Sequence, residues 1–153
     1  MSELSGPTAP GPWEILSHVW QLTTSLMDEA APALEALGVH PKALFLMAAL
    51  EHHACPAQLA RALNLPPPTV TYIVKALEAK GYVNRRPVPA DLRKFRIALT
   101  PRGREALSMG QRKVAEVFAA RLGRLSAEEV AALDRSLARL TPAQSPPQRG
   151  SKP

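Results

Sequence analysis

The sequence predicts a mainly α fold with a small β-hairpin: a helix-turn-helix lobe followed by a hairpin wing, carried between long N- and C-terminal helices. Apolar residues recur at i, i+3, i+4 and i+7 along most of the chain. One segment alternates with period two, and Pro and Gly fall at the spacings where short helices start and stop. The chain has 153 residues, 46% of them hydrophobic. That is enough to bury roughly 70% of the unfolded surface in one domain. No run of about 18 apolar residues occurs, and no basic segment leads into an apolar one at the N-terminus. No membrane association is therefore expected, and a cytoplasmic location is. The single cysteine, Cys55, excludes an intramolecular disulfide and a multi-cysteine zinc site.

Residues 1–12 and 142–153 are rich in Pro, Gly and Ser without apolar periodicity, which predicts mobile tails. The domain between them, 13–141, opens with a helix from about Trp13 to Leu37. Ile15, Leu16, Val19, Leu22, Leu26, Ala30, Leu34 and Leu37 stripe it, Gly38 stops it and Pro32 should kink or split it. A second helix opens at Pro41 and is nearly all apolar through Leu50, as suits an element buried on most sides. A third follows Pro56 with Leu59, Ala60 and Leu63 inward, and the chain turns through Asn64 and Leu65. In the fourth, from about Pro67, Val70, Ile73, Val74 and Leu77 form the core face and leave Thr69, Thr71, Tyr72 and Lys75 outside it. Two short helices joined by a tight turn form a helix-turn-helix, whose second helix enters the major groove of DNA. Gly81 ends that helix.

Tyr82 to Arg86 and Arg93 to Leu99 are read as two strands joined by a loop from Pro87 to Leu92. In the second strand Phe95, Ile97 and Leu99 alternate with Lys94, Arg96 and Ala98. Thr100-Pro101 supplies an N-cap and a first-turn proline for a long helix with Leu107, Gly110, Val114, Val117, Phe118, Leu122 and Leu125 inward. Ser126 and Glu129 form a capping box for the last helix, striped by Val130, Leu133, Leu137 and Leu140. The first, fifth and sixth helices carry more apolar face than one small lobe covers, which predicts dimerisation helices at about 13–37 and 101–141 around a lobe at about 41–100.

The charge is concentrated in one place. Residues 75–104 hold nine basic residues against two acidic ones. The rest of a chain whose net charge is +6 holds ten basic against eleven acidic. A surplus of seven on one helix-then-hairpin segment is a patch rather than a solubility coat, and such patches bind polyanions by releasing counterions. The expected DNA contacts are Thr69, Thr71, Tyr72, Lys75, Arg85, Arg93, Lys94 and Arg96. Arg93, near the hairpin tip, is the residue for minor-groove insertion. Asp91 is repelled by phosphate and more plausibly braces the wing.

The chain resembles the MarR-type winged helix-turn-helix regulators at Asp91-Leu92-Arg93 followed by Leu99-Thr100-Pro101-Arg102-Gly103. Thr69-Val70-Thr71 running into Leu77-Glu78-Ala79-Lys80-Gly81-Tyr82-Val83 with Arg85 is similar to that family's recognition helix and wing. The resemblance is sharpest from Leu59 to Gly103. It implies a homodimer held by its terminal helices, two winged lobes on a pseudo-palindromic duplex, and repression relieved by a small molecule. Two departures stand out. Pro66-Pro67-Pro68 replaces the Ser or Thr hydroxyls with which many relatives start the recognition helix. Tyr72 stands where an arginine is common, which leaves a thymine-methyl or phosphate contact for it.

His18 and Trp20 are the candidates for an effector pocket, with an aromatic acid as the ligand class that suits an aromatic platform near cations. His40 stands with them. His52 and His53 are adjacent and cannot both face one metal, so neither a metal nor a cofactor is expected. Cys55 is read as structural, with redox sensing the alternative if His52 or His53 stabilised its thiolate. No phosphate-cradling glycine loop, nucleophile elbow or close carboxylate pair appears, so no catalytic residues are expected and an enzyme is disfavoured. A winged-helix RNA-binding or protein-interaction module without operator specificity remains the alternative to a DNA regulator.

Overall fold

The computed structural model describes residues 9–89 and 91–141, the side chains of 91–94 excepted. Six helices and one hairpin follow in order: α1 (Pro12–Ala36), α2 (Pro41–Ala49), α3 (Pro56–Ala62), α4 (Pro67–Ala79), β1 (Val83–Val88), β2 (Asp91–Leu99), α5 (Pro101–Leu122) and α6 (Ala127–Leu140). The mainly helical fold with one antiparallel hairpin is the one expected from the sequence.

The core is shared by the second half of α1, the helix-turn-helix and the start of α5. Leu34, Val39, Leu46, Met47, Leu59, Val70, Val74, Leu77 and Ile97 are its most enclosed side chains. All four predicted core positions of α4 are buried. The turn between α3 and α4 passes through Asn64 in the left-handed region (φ 49°), a conformation asparagine tolerates better than most residues. Gly38 and Gly81 take φ of 68° and 72° directly after α1 and α4, where a residue with a Cβ would be strained.

Three expectations need correction. The hairpin loop is much shorter than Pro87 to Leu92: β1 runs through Pro87 to Val88, and β2 already starts at Asp91, with a register slip between Pro87 and Val88. The register explains how proline is accommodated. Ile97 donates its N–H outward to Ala54 O at 2.8 Å, so the Arg85–Ile97 pair is a non-hydrogen-bonded one, and Pro87–Phe95 shares its parity. The missing proline donor therefore points away from the partner strand, and no ladder bond is lost. Second, α1 is not split at Pro32. Pro32 and Asp28, whose carbonyl loses its donor, both lie on the exposed side, where water can take the bond. Third, Leu125 is exposed rather than inward, because α5 ends at Leu122.

The Thr100–Gly103 pair has a structural explanation. Thr100 Oγ1 donates to Gly81 O at 2.6 Å and accepts from the Gly103 N–H at 3.0 Å, while the Thr100 N–H donates to Tyr82 O at 3.0 Å. A Cβ on residue 103 would lie 1.9 Å from Tyr82 O, so only glycine lets α5 start against the end of α4. Among the described residues no helix is long and apolar enough to cross a membrane.

Candidate nucleic-acid interface

The wing packs beside α4, with Arg85 of β1 reaching Glu78 of the helix. On α4 the side chains of Thr71, Tyr72 and Lys75 are exposed and Thr69 is half-buried. Tyr72, 74% exposed, is one of the most open large side chains of the lobe. Thr71 Oγ1 donates to Pro67 O at 3.1 Å, within its own helix. The wing is held against the lobe by the Ile97–Ala54 hydrogen bond, so it has a fixed relation to the start of α3.

The cationic segment divides into braces and open charges. Lys80 Nζ donates to Gly38 O, and Tyr82 OH donates to Leu37 O at 2.7 Å, so the carbonyls at the end of α1 are satisfied from the α4–β1 junction. Arg104 donates to Leu99 O at 3.0 Å. Arg102 sits over the Tyr82 ring, 5.4 Å from its centroid. Arg85 is braced too: its guanidinium lies 4.7 Å from the centroid of Phe95, and its Nε is 3.1 Å from Glu78 Oε2. The Nε–H is not aimed at the carboxylate, so that contact is Coulombic rather than a hydrogen bond. Arg85 therefore ties the wing to α4.

Arg86 and Arg96 differ. They face each other directly across the two strands, and both are exposed. Like charges opposed in a hydrogen-bonded pair destabilise a ribbon unless an anion lies between or above them. Arg86 is not among the contacts expected from the sequence, although Val83 and Arg85 share a parity that leaves Asn84 and Arg86 on the other face. The side chains of Asp91, Arg93 and Lys94, expected to brace or contact, lie outside the described residues.

His18 and Trp20 are exposed on the first half of α1. A cleft of about 430 Å³ lies between the end of α1 and α5, lined by Ala33, Ala36, Leu37, Met109, Arg112, Lys113 and Glu116. His52 and His53 lie in the turn after α2, and Cys55 is the N-cap residue of α3.

The MarR family model matches residues 43–95, from α2 into β2. The uncharacterized HTH-type transcriptional regulator YdgJ of Bacillus subtilis is 32% identical over 105 residues, which is 67% of this chain; the chain spans 64% of that relative's length. Among solved structures, apo MarR of E. coli is 22% identical with a TM-score of 0.73, covering 88% of this chain and all of that one. The Mycobacterium tuberculosis MarR-family protein Rv2887, in complex with p-aminosalicylic acid, is 25% identical with a TM-score of 0.69, covering 86% of this chain and 98% of that one. With the recognition helix, wing and Thr100–Gly103 junction all inside one fold, the chain belongs to the MarR family.

Proposed function

We propose that the chain is a homodimeric DNA-binding transcription regulator of the cytoplasm, a repressor that docks on a pseudo-palindromic operator and is released by a small effector. The observation that carries the DNA reading is the exposed Arg86–Arg96 pair on a wing set beside an outward Lys75 and Tyr72. Such a surface is repulsive to itself and attractive to phosphate. Membership of a family of transcription regulators sets the enzymatic reading aside.

The dimer reading rests on apolar surface. On α1, Trp13, Ile15, Leu16, Val19 and Trp20 are exposed; on α6 no residue is buried, and Leu137 and Leu140 stand open. Paired arms of this kind would set two copies of α4 roughly 34 Å apart, one turn of duplex. The lobe at 41–100 reads DNA and the helices at 13–37 and 101–141 dimerise. His18 and Trp20 lie on the open α1 stripe, so an effector pocket containing them is completed by the partner subunit. An aromatic acid suits it, a class supported by the p-aminosalicylic acid complex of Rv2887.

The test is a binding titration with duplexes that the protein selects from genomic DNA, repeated across salt concentrations. One palindromic duplex should be preferred, with log affinity falling against log salt by about 0.9 for each phosphate contacted. Equal binding to unrelated duplexes, or preference for RNA, would overturn the proposal. For the effector, addition of an aromatic acid should change tryptophan fluorescence and release the duplex together.

A further inference from the structure

The base-reading vocabulary of α4 is narrow. Directly opposite its core face, at i, i+4, i+7 and i+11, lie Pro68, Tyr72, Lys75 and Ala79, all exposed. In the major groove guanine is read by Arg or Lys donors, adenine by the amides of Asn or Gln, cytosine by a carboxylate, and thymine by apolar contact with its 5-methyl group. The helix contains no Arg, Asn, Gln or Asp. Its one carboxylate, Glu78, is engaged with Arg85, and the Thr71 hydroxyl hydrogen is spent on Pro67 O. Lys75 is a single point donor without the fork that fixes guanine bidentately.

The first turn is equally bare of free backbone donors. Pro66, Pro67 and Pro68 have no N–H, and the N–H groups of Thr69 and Val70 both donate to Pro66 O, at 2.9 and 3.2 Å. This end of the helix cannot hold a phosphate through its backbone. What the face offers is the ring of Pro68, the open ring of Tyr72 and the small Ala79, beside the cations of the wing.

We propose that α4 reads its half-site through thymine methyl groups seated against Pro68 and Tyr72. This rests on the DNA-binding reading above and specifies its ligand: a duplex with thymines under the first two turns of α4, approached by apolar contact, with phosphate attraction supplied by Lys75 and the wing. Affinity for the wing's part of the site does not depend on these methyl groups, because they lie in the major groove.

The experiment uses the full chain and the duplex it enriches most strongly from a random-sequence library. That duplex is remade with deoxyuridine in place of thymine in the half-sites, which keeps every hydrogen-bonding edge and removes only the methyl. Each buried methyl lost should weaken binding about fourfold; the same replacement in the flanks should change nothing. In a Tyr72→Ala/Pro68→Ala variant, both exposed changes, the thymine duplex should bind more weakly and the thymine-to-uracil ratio should fall to about one. Equal affinity of the wild type for both duplexes overturns the proposal while leaving DNA binding intact. An undiminished ratio in the double variant also overturns it, since the methyl would then act through duplex shape. Failure to enrich any duplex would sink the DNA reading itself.

Discussion

The lobe and the helical arms carry the same kind of apolar stripe; the lobe buries its stripe within the chain, whereas the arms bury theirs only beside the lobe, at Leu26, Ala30 and Leu34 of α1 and at Ala106 and Leu107 of α5. Leu34, Leu46, Met47, Leu59, Val70, Val74 and Leu77 are enclosed, whereas Trp13 and Trp20 on α1 and Leu140 on α6 are each more than 70% exposed. Periodicity at 3.6 residues says that a helix has an apolar side; it does not say whether the surface that covers it belongs to the same molecule. The lobe also locks its elements together through polar contacts: Thr100, Tyr82 and Lys80 close the ends of three elements on one another. On the arms, beyond the Arg121 contacts with Ser25 (2.6 Å) and Glu29 (2.7 Å), α6 has no comparable partner among the described residues.

The sharpest way to break the lobe is Gly103→Ala. The added Cβ meets a backbone oxygen, which cannot rotate away, so a loss of about 4 kcal/mol or more is expected in chemical denaturation. Gly110→Ala is the milder control: its Cβ would lie 2.5 Å from Leu44 Cδ1, the end of a side chain that can repack, at about 1–3 kcal/mol. If the two variants were equally stable, the close approach at Tyr82 would not govern the α4–α5 junction.

The arms break differently. Leu133→Glu with Leu137→Glu should leave the unfolding of the lobe nearly unchanged, yet yield monomers in sedimentation and lower DNA affinity by about 10²–10⁴-fold, because a monomer loses the tethered second half-site. A stable dimer of that variant would move the interface elsewhere. Smaller again are the charges of the wing and of α4. Arg93→Ala is expected to cost roughly 1–3 kcal/mol of DNA affinity. Lys75→Ala should lower the salt slope by about one. Arg85→Ala, a partly exposed brace, should cost under about 1 kcal/mol of stability and leave the slope unchanged.

Much of the lobe was legible in the sequence because each element is announced by its own local chemistry. Proline at 41, 56, 67 and 101 marks four helix starts, and glycine at 38 and 81 two helix ends. The core face of α4 follows from four residues. The hairpin was less legible: two prolines read as a loop, and only the pairing register reveals that Pro87 sits where no donor is needed. The cationic site was legible in position but not in division of labour. Composition placed Lys80, Arg85, Arg102 and Arg104 with Lys75, Arg86 and Arg96. Which of them brace depends on the Phe95 and Tyr82 rings and on the end of α1, and Leu37 and Tyr82 are 45 residues apart. Alternation alone could have set Arg86 outward and Arg85 inward, since Val83 is an obvious core residue.

The smallest expected effect tests whether α6 is stabilised locally or by a partner. Ser126 accepts from the Glu129 N–H at 3.3 Å, and Glu129 Oε2 accepts from the Ser126 N–H at 2.7 Å, a reciprocal cap on a helix with no buried residue. The Ser126 N–H holds the Glu129 carboxyl below its ordinary value near 4.5, with the Ser126 hydroxyl adding to the effect. A carboxyl depressed in the folded state contributes stability that is complete above its unfolded value and is lost as pH falls through the lower, folded one. Fraying of α6 should therefore increase below about pH 4.5, by an amount salt and solvent keep small because the group is fully exposed. Ser126→Ala removes the other half of the cap and should cost about 0.5–2 kcal/mol of helix stability at neutral pH. In an isolated arm that loss appears directly as faster amide exchange along α6. In a dimer it appears as weaker association, with the exchange of α6 becoming dependent on protein concentration. Exchange that is slow, insensitive to Ser126→Ala and independent of concentration would mean that α6 is covered by its own chain, and the contrast between lobe and arms would fail.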